Sequence, residues 1–151
     1  MERFLGWAAL VMLAAIIAAI LRGRADWAKI PAPVWFHLAT IGTALVLTPA
    51  ILWRRRGDSR HRVLGYVWVG AMALTAIDSF TIRLTNRGGL SVIHILSVWT
   101  LIQVPLIVYR ARRHDWRRHR SAVRGMVIGA LLVAGFFTFP FNRLLGQWLF
   151  G

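Results

Sequence analysis

The chain has 151 residues, 58% of them hydrophobic, with 19 Lys and Arg against 5 Asp and Glu and no cysteine. A mean hydropathy of +0.58 is too apolar for a soluble domain of this length, which must clothe its own surface. The missing cysteines exclude disulfides, thiolate metal ligands and cysteine nucleophiles.

The basic excess falls in short stretches between apolar runs, so it reads as a topology signal, and no nucleic acid is expected as a partner. A window of about 19 residues, the length a bilayer core requires, picks out runs at 4–21, 34–53, 63–82, 91–109 and 125–142. The first is longer than a signal-peptide core and offers no cleavage pattern before Arg22, so it is expected to be a membrane helix. The expected fold class is therefore an all-α integral membrane protein with five transmembrane helices. Residues 1–30 form an additional N-terminal helix and outer loop, and 31–151 form a four-helix core.

Orientation follows from the arginines. "RRRGDSRHR" carries five and "RARRHDWRRHRSAVR" seven, and with Arg3 they share one side; Arg22, Arg24, Lys29, Arg83, Arg87 and Arg143 fall on the other. The positive-inside rule puts the N-terminus and both arginine-rich loops in the cytoplasm and the C-terminus outside, with the chain multi-pass in the membrane. Trp27, Trp35, Trp53, Trp116 and Trp148 lie near predicted helix ends, where interfacial aromatics belong. The inner arginines would meet anionic lipid headgroups.

The second to fifth runs repeat. The stretch from His37, "HLATIGTALVLTPAILWRRRGDSRHRVLGYVWVGA", lies over that from His94, "HILSVWTLIQVPLIVYRARRHDWRRHRSAVRGMVIGA", with one gap. Each begins with His, passes a proline (Pro49, Pro105), reaches an Arg-His-Arg triplet (His61, His119) and ends in Gly-Ala. The repeats, about 37–71 and 94–130, are two helical hairpins in parallel orientation, and the last four helices form a bundle from them.

The repeat places four histidines at two depths. His37 and His94 enter from the outer side about one turn in, roughly 6 Å below that face; His61 and His119 begin the helices that enter from the cytoplasm. Paired imidazoles at two depths in a four-helix bundle are what bis-histidine ligation of haem b needs. In this spacing the chain resembles the core of transmembrane di-haem b-type cytochromes. Duplication alone also carries any residue to matching depths, and His61 and His119 sit close enough to the headgroups to bind anionic lipid with the arginines. The outer pair lies within apolar segments, where ionisable residues mark function. Asp78, near the outer end of the third run, has three readings: an acceptor orienting a ligating histidine, the third ligand of a His37–His94–Asp78 non-haem metal site, or a partner for Arg83 or Arg87. Gly125 and Gly129 form a GxxxG pair suited to close helix packing.

There is no phosphate-binding glycine loop, HExxH or GxSxG, which excludes nucleotide-driven and hydrolytic chemistry of those kinds. "HRVLGYVWV" at 61–69, "SVIHILSVWTLIQVPL" at 91–106, the second "HR" at 119–120 and the ending "AGFFTFPFNRLLGQWLFG" resemble an uncharacterised bacterial membrane family, a domain of unknown function frequent in alphaproteobacteria. Val123 and "PFNR" stand where that family has a methionine and "PGR". The resemblance implies a multi-helix membrane protein, with His37, His61, His94 and His119 on the family pattern and no assigned activity. Two functions follow as expectations: a haem-binding electron-transfer protein, with His37 and His94 the first axial pair and His61 and His119 the second, or a cofactor-free accessory subunit of a larger membrane complex. A proton-coupled carrier using Asp78 and the histidines is a third. Whether the chain is an enzyme stays open.

Overall fold

In the computed structural model residues 1–55, 57–82, 92–140 and 142–151 are described, with the side chains of residues 92 and 93 excepted. Every regular element among them is helical. The order is α1 (Glu2–Arg22), a 3-10 helix (Gly23–Lys29), α2 (Ala32–Trp53), α3 (Ser59–Asp78), α4 (Val92–Arg112), α5 (Trp116–Met126), a π-helical stretch (Val127–Val133), α6 (Ala134–Phe136) and α7 (Leu144–Phe150). The stretch from Trp116 to Phe136 runs without a break between its segments.

Local chemistry explains the ends. Pro33 sits in the first turn of α2, where its missing N–H costs nothing. Asp58 precedes α3 and its carboxylate accepts the His61 backbone N–H; Asp115 precedes α5 and accepts the Arg118 N–H. Each cap follows a residue in the left-handed region, Gly57 (φ 83°) and His114 (φ 56°). The α2–α3 and α4–α5 turns thus share one build: left-handed residue, Asp cap, helix carrying Arg and His. Because these caps lie upstream of the apolar runs, α3 begins at 59 rather than 63 and α5 at 116 rather than 125. Hydropathy marks where a helix becomes apolar, and the cap marks where it starts.

α2 packs along α3, and α4 along α5, as two hairpins; α3 also meets α4. α1 packs against α2, α7 and the π-helical stretch, and contributes Leu5, Ala9, Ile16 and Ala19 to the one hydrophobic core. Gly6 lets α1 approach α2 closely, since a Cβ there would overlap the Trp53 indole. Trp7 and Trp53 meet at 5.3 Å with their rings tilted by 52°, and Trp27, Trp35 and Trp148 form a cluster at the other end of α1.

Three helical stretches, Glu2–Lys29, Ala32–Trp53 and His94–Arg112, are long and apolar enough to cross a membrane. The side chains are distributed to match. Phe4, Val11 and Ile95 are about 70% exposed, whereas Thr40, Thr48, Thr75, Ser97 and Thr100 are buried. Several hydroxyls thus lie inside while large apolar groups also cover the outside, an arrangement that suits helices surrounded by lipid.

Candidate functional site

Buried hydroxyls tie the helices together. Thr75 Oγ1 donates to Thr40 Oγ1 at 2.8 Å, and Thr40 in turn donates to the His37 carbonyl at 3.0 Å, joining α3 to α2. Trp68 Nε1 donates to Thr48 Oγ1 at 3.1 Å across the same pair. Ser79 Oγ donates to Ser97 Oγ at 2.6 Å, joining the end of α3 to α4. These bonds fix the helix rotations, and those rotations place the histidines.

At one end of the bundle, residues of α2, α3 and α4 with residues between 130 and 138 and between 142 and 147 line a partly open cavity of about 470 Å³ that includes both His37 and His94. His37 Nδ1 lies 3.6 Å from Asp78 Oδ2, just beyond hydrogen-bond reach. His94 is 4% exposed, its ring lies 5.5 Å from that of Phe80, and its Nε2 is 3.1 Å from the Ser79 carbonyl. A carbonyl only accepts, so Nε2 carries a proton here.

The cavity at the other end, about 530 Å³, is lined by His61 of α3 and His119 of α5, with Tyr66, Trp68, Arg62 and Arg112 among its walls. His119 Nδ1 lies 3.1 Å from the Ile107 carbonyl of α4. Here Nδ1 is the donor, and Nε2 is left as the lone-pair nitrogen. That is the orientation imidazoles take when they ligate a metal, with the second nitrogen held by a carbonyl or carboxylate. Glu2, at the start of α1, accepts from Arg120 Nε at 2.6 Å and Arg124 Nη2 at 3.2 Å and so binds α1 to the helix that carries His119.

The structure therefore gathers His37 with His94, and His61 with His119, one pair to each cavity. It also sets Asp78 against His37. It does not assemble the three-ligand set: among the described residues no three or more His, Cys, Asp or Glu side chains form a metal-binding group, and His94 turns to the Ser79 carbonyl instead. Arg83 and Arg87, the other expected partners of Asp78, lie outside the described residues. Of the GxxxG pair, Gly129 faces Trp99 of α4 while Gly125 faces open space. His114 is exposed in the turn before α5.

The sequence reading passed over the serine and threonine bonds and the two aspartate caps. The caps were visible as Asp-Ser-Arg-His and Asp-Trp-Arg-Arg-His ahead of apolar runs. The hydroxyl pairing was not, because a threonine in an apolar run bonds its own helix as readily as a neighbour. Comparison with family models, curated proteins and solved structures finds no match to this chain.

Proposed function

We propose that the chain is a five-span protein of the bacterial inner membrane that binds haem b between histidines on parallel hairpins and passes electrons across the bilayer. One observation carries the reading: each repeat-equivalent histidine pair lines its own cavity, at opposite ends of the bundle. Both volumes fall in the range of about 300–1,000 Å³ usual for cofactor sites. His61 and His119 would hold the inner group and His37 and His94 the outer one. The bound iron would supply one-electron chemistry, while the protein holds the rings and keeps water from them.

The span count rests on length. The 20 residues of α3 rise about 30 Å at 1.5 Å each, which equals a hydrocarbon core. The unbroken stretch from Trp116 to Phe136 is as long. The matched turns at Gly57–Asp58 and His114–Asp115 support the hairpin repeat. The likeness to the uncharacterised bacterial membrane family is part of this reading, through the two His-Arg motifs at 61–62 and 119–120.

The test is a visible spectrum of the detergent-purified protein before and after dithionite, with iron measured on the same sample. The expected result is a b-type reduced spectrum with one or two irons per chain. His119→Ala and His94→Ala should each remove one component. A colourless protein that also fails to take up added haem overturns the proposal.

A further inference from the structure

The chain has five carboxylate side chains, and each lies beside a basic group of its own: Glu2 with Arg120 and Arg124, Asp26 with Lys29, Asp58 with Arg54, Asp78 with His37, and Asp115 with Arg118. Three further arginines, Arg62, Arg112 and Arg117, line the inner cavity, and among the described residues none of them meets a carboxylate. Their counter-charge must come from outside the chain. Arg112 is already oriented, with Nε and Nη2 donating to the Tyr66 hydroxyl at 3.4 and 3.3 Å, so its three remaining N–H donors stay available to an anion. The same cavity continues into an apolar wall of Val69, Ile107 and Val108.

A cluster of guanidinium groups above an apolar wall fits a ligand with an anionic head and a hydrocarbon tail. We infer that Arg62, Arg112 and Arg117, with Tyr66, bind the phosphate of an anionic phospholipid whose acyl chain lies along the Val69–Val108 wall. A phosphodiester suits such a rim because its two non-bridging oxygens can each accept several guanidinium N–H donors. Basic pockets between membrane helices on the cytoplasmic side hold such headgroups. The arginine rim uses neither histidine, but the acyl chain would fill the cavity that His61 and His119 line, so lipid here takes the place of an inner haem and leaves the outer pair untouched.

The chain purified in a neutral detergent is titrated with phosphatidylglycerol, phosphatidylcholine or inorganic phosphate, and bound lipid is counted by native mass spectrometry. Phosphatidylglycerol should be retained at about one per chain and should bind at least about tenfold more tightly than phosphatidylcholine, with inorganic phosphate failing to displace it. Each arginine near an anionic headgroup is worth about fivefold, so R62Q/R112Q/R117Q should lose on the order of a hundredfold. R22Q/R24Q, at the opposite end of α1, should lose nothing. If the triple variant does not survive purification, R62Q and R117Q singly should each show a partial loss. Equal binding of the two lipids, or a preference that persists in every one of these inner-arginine variants, overturns the site. Full displacement by inorganic phosphate overturns the lipid as its ligand and leaves a plain anion pocket.

Discussion

At the scale of single residues, hydrogen bonds between short polar side chains tie the helices together inside a core that also buries Leu45, Trp68, Met72 and Met126. Lipid removes the hydrophobic reward for bringing helices together, so close packing and interhelical hydrogen bonds take its place. Thr48 shows the cost of losing one. It is 1% exposed, donates to the Ala44 carbonyl at 2.7 Å, and is the acceptor for the Trp68 indole N–H. Thr48→Val keeps the shape and leaves that N–H buried without its partner, which should destabilise the protein by about 1–3 kcal/mol. Thr48→Ser restores the oxygen and should recover most of that loss, as read from unfolding in mixed detergent. Equal losses in the two variants would assign the role of Thr48 to packing alone. Ser79 works the same way at a more telling place, since it donates to Ser97 and its carbonyl holds the His94 ring.

At the scale of elements, the α2–α3 and α4–α5 turns carry the strongest local signal. Gly57 and His114 adopt the same left-handed backbone, which glycine accepts and a side chain resists. Gly57→Ala should therefore cost roughly 1 kcal/mol, while His114→Gly should be neutral or stabilising; thermal melts of both variants check the contrast. The following aspartate makes the start of α3 sensitive to pH. The His61 backbone N–H, followed by Arg54, holds the Asp58 carboxyl below its ordinary value of 3.8. A depressed pKa contributes stability that is fully present above that ordinary value and lost as pH falls through the folded one. Amides at the start of α3 should thus exchange faster in acid, beyond the intrinsic pH trend. Asp58→Asn should keep the cap but lose the acid sensitivity, because the amide oxygen accepts the same bond without titrating. The helices themselves were legible as apolar runs, since a membrane helix advertises itself by length and hydropathy. Their starts were not, because a cap is one polar residue outside the window, and neither was the π-helical stretch Val127–Val133, whose residues are ordinary helix formers in an apolar run.

At the scale of the whole molecule, three of the described helical stretches are long and apolar enough to cross a membrane, and α3 and α5 show their apolar runs only when the window starts beyond their arginines. α3 and α5 open with Arg-His-Arg, which lowers their mean hydropathy without shortening the apolar part that follows. Equal spacing of the histidines along the repeated sequence predicts one depth for each pair, and His37 and His94 line one cavity and His61 and His119 the other. The rotation that turns each pair into a cavity was not legible, since nearly every position on these helices is apolar and periodicity is silent. The span count is open to direct test because the chain contains no cysteine. Single cysteines at the exposed positions Ala28, Ser59, Thr81 and Arg113 can be labelled with a membrane-impermeant maleimide on intact spheroplasts. Ala28→Cys and Thr81→Cys should react from outside, and Ser59→Cys and Arg113→Cys only after the membrane is opened. Labelling of all four with the sides exchanged would invert the protein and put its arginine surplus outside. Labelling of Thr81→Cys only from within would mean that α3 does not cross. His61 and Asp78 would then not lie toward opposite faces, and the two cavities could not serve as successive stations for an electron crossing the bilayer.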